Sequence, residues 1–418
     1  MSEIAAPQND QTLERIALFL RDLGQALHVS GAPAQDMERG MNDIGRRLGI
    51  RVEGFAVLTF LAINVVSGAN SRRVEMLRLP PYDYNMARLI ALQELCRDIS
   101  DIDALDAYVV RLTAIMQAPP TWSGWRFVIM GFLLSGSVAL LLRGGWVEML
   151  CGGLIGMGFV SGYLRLSRIS RLGPAVPVIL CALAAMAAQG LAHLFPNQTP
   201  FISAVAGVVL LLPGFMLTVA MSELATQNYL AGTGRLTGAF VLLFLMGAGL
   251  AIGTQFSLAL LPASTPGSVT TLPAWAIWPA IAALGISLLA VLQAPWRSLP
   301  VSVLACLLAW AVYSVVSAKM GNIVGAFSGA VAVASAGHLF HYMTRQPAVL
   351  VQIPGLITLV PGSMGFRGVH ALMEQNSAAG ISLITDMVLT GAVLAVGLLL
   401  ADNILPLVFE RESDRRDN

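Results

Sequence analysis

Apolar side chains recur at helical spacing from the start of the chain. Leu13, Ile16, Leu20, Leu23 and Leu27 fall on one stripe, and Met37, Met41, Ile44 and Leu48 repeat the pattern after the break Ser30-Gly31-Ala32-Pro33. The period then changes. Val52 to Val66 is β-branched and aromatic, Ser67-Gly68-Ala69-Asn70 supplies a turn, and Val74 to Leu79 alternates, which predicts a small hairpin or sheet. Helices are expected again at 83–98 and 101–117, and Pro119-Pro120 ends this head. From Phe127 onward, long apolar runs alternate with short polar or Gly/Pro-rich breaks, and runs of that length match a hydrocarbon layer roughly 30 Å thick. Ten spans are predicted, at 127–142, 146–164, 174–195, 201–221, 236–260, 274–294, 298–317, 321–343, 348–372 and 380–407.

The expected fold is therefore a multi-pass α-helical membrane protein preceded by a small α+β domain. An internal repeat refines it. Sliding the chain by 148 residues places Leu211-Leu212-Pro213-Gly214-Phe215-Met216 on Leu359-Val360-Pro361-Gly362-Ser363-Met364, and the same offset sets the first span on the sixth, the third on the eighth and the fifth on the tenth. Five spans are an odd number, so the second copy must enter the membrane in the opposite sense. Two inverted five-helix repeats are the expected result, an arrangement found in secondary transporters. The domains predicted are 1–120 (α+β head), 121–265 and 266–408 (the two repeats) and 409–418 (a charged tail).

Composition agrees with the pattern. Of 418 residues 56% are hydrophobic and 12% charged, with a mean hydropathy of +0.72, which excludes an ordinary soluble protein. Charge concentrates in the head: residues 1–126 hold 13 Arg and 15 acids, whereas 127–407 hold 9 basic and 5 acidic residues. A net charge of +1 gives no electrostatic case for nucleic acid. Lys319 is the sole lysine, so a phosphate-binding G-x-x-x-x-G-K-[ST] loop is impossible. Cys96, Cys151, Cys181 and Cys306 lack metal-ligand spacing. There is no His-Glu-x-x-His and no G-x-S-x-G, so neither an enzyme nor a cofactor is expected.

Sidedness follows from the arginines, since basic short loops stay in the cytoplasm. Met1 to Asp10 has acids and no apolar core, so no cleaved leader is expected. With the N terminus inside, Arg126, Arg165, Arg168, Arg171, Arg235, Arg297, Arg345, Arg411, Arg415 and Arg416 lie inside, and only Arg143 and Lys319 outside. Both termini are then cytoplasmic.

Within the spans two kinds of residue carry candidate chemistry. Pro213-Gly214 and Pro361-Gly362 sit inside the fourth and ninth spans, where proline removes a donor and glycine lets the helix unwind. Broken helices offer freed carbonyls and helix ends to a polar solute, while the competing reading is a packing kink. Ionisable groups in a span are the second kind. Arg367 lies deep in the ninth span, with Glu374 seven residues on along the same face. Asp386, early in the tenth, is expected to be the best buried acid. Glu148 opens the second span, Glu223 and Arg235 bracket the connection after the fourth, and Asp402 lies near the end of the tenth. A carboxylate in low dielectric can take up a proton near neutral pH, and Arg367 can hold a carboxylate bidentately. For Glu148 and Asp402, near span ends, pairing or snorkelling is the competing reading. His338-x-x-His341 has chelating spacing but no third ligand nearby, so no metal site is assigned. Gly152-x-x-x-Gly156, Gly158-x-x-x-Gly162, Gly249-x-x-x-Gly253 and Gly321-x-x-x-Gly325-x-x-x-Gly329 read as helix-packing signals.

These residues also carry a resemblance. Leu23-Gly24, Ser30-Gly31-Ala32, Met37-Glu38 and Arg46-Arg47-Leu48-Gly49-Ile50 resemble the opening of the threonine/serine exporter family of bacterial membrane proteins. Gly144-Gly145-Trp146-Val147-Glu148, then Leu212-Pro213-Gly214 with Glu223, Gly232, Gly234 and Arg235, and finally Leu359-Val360-Pro361-Gly362-Ser363 with Phe366-Arg367-Gly368 resemble its later marks, in order. Glu223 departs from the aspartate expected there. The resemblance implies a bacterial inner-membrane protein with a cytoplasmic head, exporting small hydroxylated amino acids with the proton-motive force. On that reading Pro213, Gly214, Pro361, Gly362 and Arg367 bind substrate, Glu223, Asp386, Glu148 and Glu374 are the proton-coupling candidates, and Arg235 accompanies them. The partners are a small amino acid, the proton and the bilayer, and a homo-oligomer is admissible. Two rivals stand beside it: a passive channel or facilitator for small polar metabolites, and a membrane-anchored head with an enzymatic or regulatory role.

Overall fold

Amphipathic stripes, alternating strands and long apolar runs each become the element that their period dictates. The computed structural model describes residues 10–67, 71–80, 83–261, 272–344, 346–360 and 362–416. It divides into two units, the first being Met1–Thr121 with Leu292–Pro295, the second Trp122–Val291 with Trp296–Asn418.

The first unit contains α1 (Asp10–Val29), α2 (Ala34–Arg47), β1 (Arg51–Val57), β2 (Phe60–Ser67), β3 (Ser71–Arg78), α3 (Met86–Asp98) and α4 (Leu105–Gln117). Both predicted helical stripes are buried, from Leu13 to Leu27 and from Met37 to Leu48. The strand region differs from a single long strand before a turn. Leu58 and Thr59 turn the chain, and an antiparallel sheet of order β1-β2-β3 results, with Arg51 opposite Val66 and Phe60 opposite Arg78. Its cause is a change of parity: Val52 and Ala56 are buried before the turn, whereas Leu61, Ile63 and Val65 are buried after it. The Asn85 side chain caps α3 by accepting from the Arg88 amide at 3.0 Å. The Met86 amide donates to the Leu292 carbonyl at 2.8 Å, which ties the segment Leu292–Pro295 into this unit.

Among the described residues, the second unit contains only helices and their connections. Its elements are α5 (Gly124–Leu141), α6 (Trp146–Leu166), α7 (Val176–Leu194), α8 (Pro200–Gly207), α9 (Gly214–Ala225), α10 (Tyr229–Leu260), α11 (Ile277–Val291), α12 (Leu299–Met320), α13 (Asn322–Thr344), α14 (Val349–Leu359), α15 (Gly362–Met373) and α16 (Ser377–Arg416). Among the described residues, nine stretches are long and apolar enough to cross a membrane, and a tenth is formed by α8 and α9 across a bend of 51°. The chain is a multi-pass helical membrane protein, and each of the ten stretches overlaps one predicted span. α16 runs on through Arg416, so most of the charged tail continues the last helix.

Neighbour relations recur between the halves. In the first five spans α5 packs on α6, α6 and α7 on α8, and α7 and α9 on α10; in the second five α11 packs on α12, α12 and α13 on α14, and α13 and α15 on α16. Two further pairs, α9 with α16 and α10 with α15, join the halves, as does α5 with α11.

Small residues permit the closest of these contacts. A Cβ added to Gly249 would meet the Val178 carbonyl oxygen at 2.4 Å, and one on Gly253 the Ala182 carbonyl oxygen at 2.2 Å, so α7 and α10 touch backbone to backbone. Gly253→Ala is expected to force these helices apart and to cost about 1–3 kcal/mol. A lower thermal unfolding midpoint of the purified chain in detergent would register it, and an unchanged midpoint would contradict the contact.

Candidate functional site

The two predicted Pro-Gly breaks lie side by side. In the first, a short 3₁₀ turn Val209–Leu211 ends in extended Leu212 (ψ 119°), and buried Pro213 precedes α9. In the second, α14 ends at Leu359, Val360 is extended (φ −67°, ψ 132°), and α15 begins at Gly362. Pro361 lies outside the described residues. A Cβ on Gly214 would sit 2.1 Å from Val360 Cγ1 and 3.0 Å from Gly362 Cα, and a Cβ on Gly362 would sit 3.1 Å from Gly214 Cα. Only glycine fits at this crossing, because the obstacle is partly backbone. Two helix N-termini are thereby placed together, each with amide groups that have no intrahelical partner and each the positive end of a helix dipole. Such a pair favours a carboxylate or another anion.

One turn into α9, Thr218 is buried at 1% exposure, and its Oγ1 has no hydrogen-bond partner among the described residues. Sequence reading missed it. A threonine in an apolar helix ordinarily bonds back to its own helix, and only the tertiary structure reveals that this hydroxyl does not.

The predicted charged residues fall into distinct environments. Glu223 and Arg235 meet in a bidentate pair, Nε to Oε2 at 3.0 Å and Nη2 to Oε1 at 2.9 Å, each side chain 7% exposed. This pair pins α9 to the start of α10. Glu148 is fully buried, and its two oxygens accept from the Gly145 amide at 2.7 Å and the Thr199 amide at 2.8 Å. It therefore caps α6 and holds the residue that opens α8. Glu374 follows α15, is exposed, and lies 3.2 Å from His370 Nε2. The His370 ring in turn stacks on Phe201, with centroids 4.5 Å apart.

Asp386 is corrected by the structure. It was expected to be the best buried acid, but it stands on an exposed face of α16, because the neighbouring Met387 takes the inward position against Gly365. Arg367 is likewise exposed, while Phe366 and Gly368 on either side are buried. Neither Arg367 nor Asp386 has an ion pair among the described residues. The two histidines of His338-x-x-His341 diverge: His338 Nε2 lies 2.7 Å from Asp402 Oδ1, whereas His341 Nδ1 lies 2.7 Å from the Gln346 carbonyl.

Comparison with known proteins decides the family. A family model described as "Putative threonine/serine exporter" matches residues 18–257, and a second, "Threonine/Serine exporter, ThrE", matches 276–404. The chain belongs to the threonine/serine exporter family. Among curated members and relatives, the threonine/serine exporter of Corynebacterium glutamicum is 25% identical, the match covering 77% of this chain and 67% of that one. A protein of Mycobacterium tuberculosis named "Probable threonine/serine exporter" is 26% identical over 73% of this chain and 62% of its own. Pheromone-regulated membrane protein 10 of Debaryomyces hansenii is 23% identical over 86% and 38%. The exporter-family chain thus spans less than two thirds of the length of most of these relatives. No solved structure matches it.

In this exporter-family chain the Glu223–Arg235 pair sets a measurable constraint. Glu223→Gln leaves a buried guanidinium without its counter-charge, at a cost on the order of 3–5 kcal/mol. Thermal unfolding of the detergent-purified variant should show the loss, and the apolar double change Glu223→Leu with Arg235→Met should recover most of it.

Proposed function

We propose that this chain exports small hydroxylated amino acids, threonine and serine, across a bacterial inner membrane by proton antiport. The observation that carries the reading is the contact between the two helix breaks at Gly214 and Gly362. Freed amides of α9 and α15 receive the substrate carboxylate there, and Arg367, five residues into α15, attracts it. The backbones at Pro213 and Pro361 bind the polar groups of the substrate, and the unpartnered Thr218 hydroxyl pairs with its side-chain hydroxyl. A buried polar group left unpaired by an analogue lacking that hydroxyl gives strong discrimination. The names of the bacterial relatives support the same substrate class.

Proton exchange takes place at a carboxylate of the membrane unit. Glu148 is held by two amides and Glu223 by Arg235, and these fixed partners favour Asp386 over both. Glu374, paired with His370, serves the outer end. The two groups of five spans act as inverted repeats, supported by their recurring neighbour relations and by the 148-residue offset, and one rocks against the other. The head of residues 1–120 lies in the cytoplasm with both termini, in line with the arginine bias. The connection Leu292–Pro295, inside on the same count, belongs to the head's unit.

Uptake of labelled L-threonine and L-serine into proteoliposomes, with and without a pH gradient, tests this function. Gradient-driven accumulation is expected, abolished in Arg367→Gln without loss of membrane insertion. Equilibration without accumulation would replace the antiporter by a facilitator. In Thr218→Val, alanine should compete with serine far better than in the parent; unchanged selectivity would remove Thr218 from the site.

A further inference from the structure

The first unit holds a cleft between α1 and α4. Its volume is about 540 Å³ and it opens to solvent, a size common to small-molecule sites. The two helices run side by side in the same sense: Arg15 pairs with Asp106 near their starts, the Phe19 and Tyr108 rings lie 6.4 Å apart, and Val29 and Met116 line the cleft near their ends. The floor is apolar. Phe19, Ala26, Leu105 and Leu112 line it, each at 6% exposure or less. Ala26 contributes only a methyl to the wall formed by α1, which leaves the gap open. Val109 stands at the side and is 42% exposed.

Three charged side chains line this cleft: Arg15, Asp22 and Asp106. Asp22 is already held by Arg21, whose Nε and Nη2 donate to its Oδ1 at 3.0 and 2.9 Å. The Thr113 hydroxyl is also engaged, donating to the Val109 carbonyl at 2.9 Å. Arg15 and Asp106 differ, because their only recorded ionic contact is with each other and both side chains are more than half exposed. An ion pair in water contributes little and opens at small cost.

We propose that this cleft binds a free amino acid with a bulky apolar side chain. The opened pair matches a zwitterion. The α-carboxylate accepts from the Arg15 guanidinium, which can hold it bidentately, and the α-ammonium donates to Asp106. One solvated ion pair is exchanged for two, while the side chain covers Val109 and reaches the floor at Phe19 and Leu112. Ligands with a single charge fit less well. A plain carboxylate would displace Asp106 from Arg15 and then be repelled by it, and a plain amine would meet the same repulsion from Arg15. Both helices belong to the first unit, so this site is distinct from the crossing of Gly214 and Gly362. Read with the proposed export function, it is a sensing site through which the head responds to an amino acid other than the cargo. That role rests on the export reading; the binding does not.

Isothermal titration calorimetry of L-phenylalanine into the full-length chain in detergent tests the site. Saturable binding is expected. L-Alanine, with the same charges and a single methyl, should bind roughly tenfold or more weakly, because little apolar surface is buried. Hydrocinnamate lacks the ammonium and phenethylamine lacks the carboxylate, and each should also bind about tenfold more weakly. Val109→Trp, which fills the cleft, and Arg15→Gln, which removes the partner of the carboxylate, should weaken L-phenylalanine to a similar degree. Arg46→Gln should leave it unchanged, since it breaks an exposed pair with Asp43 that lies outside the cleft. No saturable binding of L-phenylalanine, or binding unaltered in both Val109→Trp and Arg15→Gln, would overturn the site. Equal binding of hydrocinnamate or phenethylamine would overturn the ligand class. Calorimetry needs no transport, so a chain that binds L-phenylalanine here and fails to move threonine would count against the proposed function alone.

Discussion

Everything in the membrane unit has to accommodate one contact, the crossing of two helix breaks at Gly214 and Gly362. Proline there removes a backbone donor, and glycine removes the side chain that would keep the strands of chain apart. Neither feature alone makes a site. Together they bring two helix N-termini within van der Waals distance, and an N-terminus whose amides lack intrahelical acceptors is stable in hydrocarbon only where protein, water or a ligand satisfies it. The surrounding contacts follow from that need. Val360 lies across Gly214, Leu212 lies across Gly362, and α9 and α15 pack against the long helices α10 and α16.

Polar groups of the membrane unit serve different ends. Glu148 is a structural cap, because both its oxygens are taken by amides that would otherwise be unsatisfied at the starts of α6 and α8. Glu223 and Arg235 form a fixed neutral pair that anchors α9 at low exposure. His338 and Gln352 meet at Asp402, which joins α13, α14 and α16. The half-helices α9 and α14 are thus each tied to another helix by a polar contact of their own.

Much of the fold was legible in the chain. Ten apolar runs, two amphipathic stripes and an alternating segment each produced the expected element, because period and length act locally. The sheet's third strand was also encoded, in the shift of buried positions from Val52 and Ala56 to Leu61, Ile63 and Val65. A reading that counted apolar content without parity passed over it. The candidate site was legible only in outline. The matching Pro-Gly pairs marked where the helices break, whereas Asp386 was placed inward because a span's sequence reveals depth and not which face of the helix meets its neighbours.

Sequence by itself determined the class of molecule, the apolar stretches able to cross a membrane and the positions of both breaks, since these depend on hydropathy and on the covalent properties of proline and glycine. Family membership was legible too, through the order and spacing of loose motifs. Tertiary structure decided which charges are partners. Glu223 with Arg235, Asp402 with His338 and Gln352, and the unpaired Thr218 all depend on which faces of separate helices turn toward one another. That choice is made by close packing at small residues such as Gly253 and Gly337, a property of surfaces meeting in space and not of any local stretch of chain.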